Sequence, residues 1–232
     1  MLLQLAELLA CPSCGPGHGL VVTIDRIEGR RVLEGLLSCP TCEARFPVRE
    51  GVMDFRAARG ASGDAAEDAA VRETSGSAGA AAAEEGEAAA EDGGVPTEDA
   101  LRVAALLDLG EGAGVAILGP ALADVAAEVA ELAPGAEVLS LCEVGDHRTS
   151  GRLSRAVGVS PAMLPLHGRR CRGAALVGGS PKALAEAARV VAPGGRVVVL
   201  RPGPEASAAA RRLPLEIVAH EDVALVALRR HP

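Results

Sequence analysis

Four cysteines fall in two Cys-Pro-x-Cys knuckles, Cys11 and Cys14 in "CPSCG" and Cys39 and Cys42 in "CPTCE". Two such pairs carry four thiolates to the corners of one tetrahedron, the geometry that Zn²⁺ prefers. Pro12 and Pro40 fix one backbone angle in each turn, and Gly15 can supply a left-handed residue. The competing chemistry is a disulfide or a redox Cys-x-x-Cys pair. Duplication of the pair, without a secretory signal ahead of it, favours metal. His18, in "GPGHG", is a fifth candidate ligand, but four thiolates already close the site and leave it a solvated loop histidine. With no open coordination position such a zinc is structural and does not activate water.

The elements around the knuckles must be small. Leu2, Leu5 and Leu9 recur at helical spacing with Glu7 opposite, so a short helix or turn leads into Cys11. Residues 20–26 and 31–37 read as a hairpin turned near Glu28, Gly29 and Arg30, which returns Cys39 to the side of Cys14. A core of this size needs metal binding to supply much of its folding free energy.

The residues "LLACPSC" and then "LSCPTCEARFPVREGVMDF" resemble the tRNA-methyltransferase-activator zinc-ribbon family over residues 2–55. Phe46-Pro47-Val48 and Gly51-Val52 match the tail of its pattern; Met53 stands where the family often has Pro. The resemblance implies a ribbon that binds and stabilises a methyltransferase subunit. The expected partner is therefore another protein or this chain's own second domain.

Net charge is −8, and residues 57–95 carry 2 basic and 9 acidic groups, so they supply −7 of it. Residues 1–56 hold 6 basic and 7 acidic groups, and residues 96–232 hold 15 of each. Neither part has the basic excess that phosphate-backbone binding demands. Phe46 and Phe55 are the sole aromatics, so base stacking has no platform and direct nucleic-acid binding is not expected. The stretch 57–95 is mostly Ala, Gly, Glu, Asp and Ser; it cannot offset its chain entropy and reads as a disordered linker. No run of about 18 apolar residues occurs, and a cytoplasmic protein without a membrane segment is expected.

Residues 96–232 alternate strands and helices. Thr97 is a plausible N-cap, with Glu98 and Asp99 at the positive end of the dipole. Two registers follow. In one, "LLDLGEGAG" (106–114) is a strand running into a glycine-rich loop. In the other, 101–109 is a helix, 110–114 a loop, 115–118 the first strand, 124–132 a helix and 137–141 the second strand. Gly119-Pro120 would interrupt the helix of the first register, so breakers favour the second.

Further on, Leu164-Pro165-Leu166, a strand at 173–177, a helix at 183–191, Pro193-Gly194-Gly195 and a buried strand at 196–200 resemble the later motifs of class I S-adenosylmethionine-dependent methyltransferases. A closing pair at 217–220 and 223–228 completes the pattern. The expected fold class is α/β, a small zinc-ribbon β domain followed by a Rossmann-like doubly wound methyltransferase-type sheet. The expected domains are 1–56, a linker at 57–95, and 96–232.

The resemblance implies S-adenosylmethionine as cofactor, with Gly119 and Glu143 as its contacts. Ala121 and Ala123 stand in place of the later glycines, Ile117 takes the acidic position, and the family's Phe-Asp pair before the fourth strand is missing. Asp146, His147 and Arg148 form a polar cluster with no nucleophile beside it. Cys142 and Cys171 read as packed thiols. Two classes stay open: an interaction or regulatory module that has lost its cofactor, and an active methyltransferase of unknown acceptor. No catalytic residue is assigned.

Overall fold

The computed structural model describes residues 1–56, 97–109, 114–142, 151–160 and 163–231. The expected linker 57–95 lies outside the described residues, as do Glu143 and the Asp146–His147–Arg148 cluster.

The ribbon opens with a 3₁₀ turn over Leu3–Leu8 that buries Leu5. Strand β1 (Ala10–Cys11) pairs antiparallel with β2 (Gly15–Gly19) around the first knuckle. Strands β3 (Val21–Glu28) and β4 (Arg31–Ser38) form the expected hairpin, with Gly29 at φ 56° in its turn. The tail then adds β5 (Arg45–Arg49) and β6 (Val52–Asp54), both antiparallel to what precedes them.

In the second part the later register holds. Helix α1 (Glu98–Leu107) is capped by Thr97, whose side chain accepts from the Ala100 N–H at 3.3 Å. It ends at Asp108 in the left-handed region (φ 53°). The apolar run that the glycine-motif register places in a helix is strand β7 (Gly114–Leu118), since Gly119-Pro120 stops any helix there. After it come α2 (Ala126–Leu132), β8 (Ala136–Cys142), β9 (Leu153–Val157), β10 (Cys171–Val177), α3 (Pro181–Val190), β11 (Val191–Leu200), α4 (Ala206–Arg211), β12 (Leu215–His220) and β13 (Ala224–Arg229). Helix α3 ends at Val190, ahead of Pro193-Gly194-Gly195, and those three residues lie within β11. Val191 already pairs with Cys171, and Arg196 with Gly173, so five residues of β11 oppose two of β10 and the Pro-Gly-Gly bulges outward.

One sheet of eleven strands runs in the order β12-β13-β11-β10-β7-β8-β9-β6-β5-β4-β3. Strands β7 to β11 are mutually parallel, β13 and β12 close one side antiparallel, and the order reverses between β7 and β10. This is a Rossmann-like α/β sheet, and the switch point at which such sheets bind ligands lies at the carboxyl ends of β7 and β10. The ribbon continues the same sheet: β6 pairs parallel with β9, Met53 opposite Ala156 and Asp54 opposite Val157.

Alternation along β7 shows how the faces are used. Ala116 and Leu118 join α1 and α2 in one cluster, while Val115 and Ile117 face the other way. On that second face α3 and α4 pack beside β10, β11 and β12, but no described helix lies over β7, β8 and β9. Doubly wound sheets obtain such a helix from the crossover between successive parallel strands. Here the connection from Cys142 to Leu153 is residues 143–152, ten residues, at the lower limit for a helical crossover. On that face the ribbon packs over these strands. Leu5, Leu9, Phe46 and Met53, each 1% exposed or less, share one core with Val115, Ile117, Leu139 and Leu141. At about 1.5–3 kcal/mol per fully buried large side chain, this contact is a substantial part of the fold's stability.

Polar contacts fix the docking. The Leu2 N–H donates to Ser154 Oγ at 3.0 Å, and Arg31 donates to the carbonyls of Gly151 (2.6 Å) and Leu153 (2.9 Å). The Leu-Pro-Leu segment forms a second seam: Ala10 N–H donates to Pro165 O at 2.9 Å, and His167 N–H to Leu8 O at 2.9 Å.

Candidate functional site

The two knuckles converge. The Sγ atoms of Cys11, Cys14, Cys39 and Cys42 all lie within 4.8 Å of one another, with Cys11–Cys42 at 3.6 Å and Cys14–Cys39 at 3.8 Å. A disulfide needs about 2.05 Å, so these thiols are not joined. A tetrahedral ZnS₄ centre with bonds of about 2.3 Å has sulfur–sulfur edges of about 3.8 Å. The donor set and its edges therefore fit Zn²⁺, and the four-cysteine cluster can hold it.

Local backbone aims the sulfurs. A left-handed residue follows each knuckle, Gly15 at φ 91° and Glu43 at φ 60°. Backbone N–H groups of Ser13 and Cys14 point at the Cys11 sulfur, and those of Thr41 and Cys42 at that of Cys39. At Cys11 burial outweighs its two amides and the pKa is raised. At Cys39 burial also opposes ionisation, but the amides and the Cys11 and Cys42 thiols outweigh it and draw the group down to about 6. Cys14 is pushed up to about 12, first by its hydrogen bond with Cys42 and then by burial. A divalent cation bound here displaces thiol protons, because only thiolates ligate it. His18 stands aside: its Nδ1 lies 3.2 Å from Thr41 Oγ1 on the exposed surface.

The second candidate region is the crevice at the carboxyl ends of β7 and β8. Gly119 directly follows β7, at φ −64° and ψ 163°, and its N–H donates to Ala175 O on β10 at 2.9 Å. A Cβ there would sit 3.2 Å from Leu176 Cδ2 and 3.4 Å from Ala175 O, so strand packing leaves little space beside this residue. Pro120 then opens a short 3₁₀ turn to Leu122. Glu143, the expected ribose contact, lies outside the described residues.

Sequence reasoning missed Arg155. It sits on β9 at 8% exposure and donates from Nη1 to Ala123 O at 3.1 Å, with Cys142 Sγ 3.7 Å away. Its guanidinium thus spans from the third parallel strand to the loop after the first. Nothing local in "GRLSRAVG" marks this arginine as buried; its partners come from distant segments. Cys171 is buried, and burial pushes its thiol up to about 12, in keeping with a packed, unreactive group. Among the described residues no helix is long and apolar enough to cross a membrane.

No protein-family model matches this sequence, and no curated protein matches it. Solved structures do resemble the fold. A chain of the complex between the Haloferax volcanii Trm112 methyltransferase activator and a methyltransferase is 14% identical over 57% of this chain and 89% of its own, with a TM-score of 0.47. The antibiotic-resistance methyltransferase Kmr is 17% identical over 59% of this chain and 95% of its own (TM-score 0.43). Geranyl diphosphate methyltransferase, solved in complex with S-adenosylmethionine, is 9% identical over 56% of this chain and 84% of its own (TM-score 0.48).

Proposed function

We propose that the chain is a zinc-pinned ribbon serving its own methyltransferase-like sheet in cis, and that this sheet has lost S-adenosylmethionine binding and works as an interaction or regulatory module. One observation carries the loss of cofactor: the described groups at the end of β7 are already engaged with protein. The Gly119 N–H is bound to Ala175 O, Pro120 has no N–H, and the Arg155 guanidinium holds Ala123 O. A nucleotide-type ligand at a switch point needs free amides and close backbone approach. S-adenosylmethionine is moreover a sulfonium cation, which a buried guanidinium repels.

The cis arrangement is supported by the β6–β9 pairing and by the core that the ribbon shares with β7 and β8. Zinc has a structural role in this reading. Four thiolates at Cys11, Cys14, Cys39 and Cys42 fill its coordination, and it fixes the ribbon that covers β7 to β9.

A second reading, an active methyltransferase of unknown acceptor, is favoured by the strand reversal between β7 and β10. Ala121 and Ala123 are small side chains at that point of the chain. Titration calorimetry of the full chain with S-adenosylmethionine separates the two. The proposed reading gives no saturable heat at millimolar cofactor; binding in the micromolar range replaces it with the enzyme.

A further inference from the structure

Equal numbers of acids and bases over residues 96–232 conceal an uneven distribution. The amino ends of β10 and β11, the carboxyl end of β13 and the start of β12 share one pole of the sheet, because β13 runs antiparallel to β11 and β12 antiparallel to β13. Exposed Arg169 and Arg170 lead into β10 at this pole, their N–H groups bound to the carbonyls of Arg189 and Val190 at the end of α3, and exposed Arg172 follows. Exposed Arg211 and Arg212 close α4 directly before β12. Arg229 pairs with Leu215, and the Arg230 N–H donates to Pro214 O.

None of these seven arginines makes a side-chain hydrogen bond or ion pair with a described residue. Two nearby arginines are neutralised instead: Arg189 pairs with Glu186 at 2.8 Å and Arg196 with Asp108 at 3.1 Å. Glu216, opposite Leu228, is the acid in closest register to the unpaired set. Charge in this cluster is frustrated. Arg229 Nε is buried without an acceptor, and burial together with the neighbouring Arg169 charge lowers that guanidinium's pKa. A protein holds like charges together against such costs where an anion offsets them.

We infer that this pole is a docking surface for the phosphodiester backbone of a base-paired nucleic acid. The arginines belong to separate segments anchored on four adjacent strands, β10, β11, β13 and β12, whose ends span about 14 Å at about 4.8 Å per strand. A rigid face of that width, comparable to a groove of about 12 Å, suits a rigid array of phosphates. Arginine's planar fork binds phosphate oxygens in pairs. Absence of aromatic residues from the pole argues against single strands. Among the described residues no large exposed apolar side chain stands among the arginines to enter a bilayer. The pole lies at the opposite end of the parallel strands from the β7–β10 crevice, so this surface is independent of any cofactor.

Fluorescence anisotropy of the full chain with labelled 20-base-pair duplexes tests this, with RNA and DNA arms showing which polymer is preferred. Micromolar binding in 50 mM salt is expected. If four phosphates are neutralised, affinity falls about 150-fold by 200 mM salt, a log–log slope of about −3.6. The triple variant R170E/R212E/R230E should abolish binding while keeping the wild-type circular dichroism spectrum and melt. The milder R170Q/R212Q/R230Q should weaken it at least tenfold. The ribbon variant R45E, at an exposed arginine remote from the pole, should retain it. Three results overturn the inference: no binding of either duplex at 50 mM salt, equal binding by the Gln triple variant, or equally tight binding of polyglutamate or of phosphatidylserine vesicles.

Discussion

Met53→Ala places a small cavity in the ribbon and should be felt in helices far from it. Met53 is fully buried on β6, opposite Ala156 of β9 and within the core cluster that holds Leu139 and Leu141. Truncating a buried methionine costs about 2–5 kcal/mol, and a strand wedged between β5 and β9 has little freedom to collapse, so about 3 kcal/mol is expected. For a folded unit of this size that lowers Tm by about 6–12 °C. Circular dichroism at 222 nm makes the readout specific. All four described α-helices lie between Glu98 and Arg211, whereas the ribbon contributes strands and one 3₁₀ turn. The helical signal of the variant should therefore melt in one transition shifted down by that amount. An unchanged helical melt, or a separate early transition that leaves the helices intact, would refute the shared core.

Three further outcomes follow from the same packing. Gly158 stands at φ 72°, and a Cβ there would lie 2.3 Å from Arg56 Cγ and 2.6 Å from Arg56 N, at the point where the ribbon leaves β6. Gly158→Ala should destabilise by about 3 kcal/mol, seen as a lower urea midpoint with unchanged m-value. Glu137, 8% exposed with Oε2 lacking a partner, has its pKa raised by burial in spite of Arg30, Arg152 and Arg31 nearby. The folded chain then binds more protons than the unfolded one just above the ordinary carboxylate value, so its contribution to stability falls as pH rises from about 4.5. Glu137→Gln should flatten that part of the stability–pH curve, and an identical curve would count against the assignment. Leu9→Ala, at the seam with Leu166, should cost about 2–5 kcal/mol in chemical denaturation, again read in the helices.

The knuckles, the β3–β4 hairpin and the helix-then-strand register around Val115 are legible in the sequence because each rests on local signals. Those signals are spacing, β-branched runs, and breakers at Gly119-Pro120. Strand β9 is not legible, since Ser154 and Arg155 interrupt its apolar pattern. Both are buried only because Leu2 N–H and Ala123 O come from elsewhere to satisfy them. Strand β6 has three residues, and its pairing with β9 is a tertiary fact that leaves no mark on "VMD". The six-residue α4 hides in "ASAAAR", where alanines form the buried stripe. The arginine pole escaped the charge tally for a related reason: a sum over residues carries no information about which strand ends meet. Likewise no local signal shows that, among the described residues, no helix covers the ribbon-side face of β7 to β9.

In the proposed function zinc pins the ribbon so that the ribbon can complete the sheet. Metal content, X-ray absorption and the helical melt, taken on one preparation of the full chain before and after chelation, test it most directly. One zinc per chain is expected, with four sulfur ligands at about 2.3 Å. Removing it should lower the 222 nm melt by more than Met53→Ala does, and Cys39→Ser should reproduce that loss. A metal-free chain whose helices melt at the same temperature as the zinc-loaded chain would contradict the account.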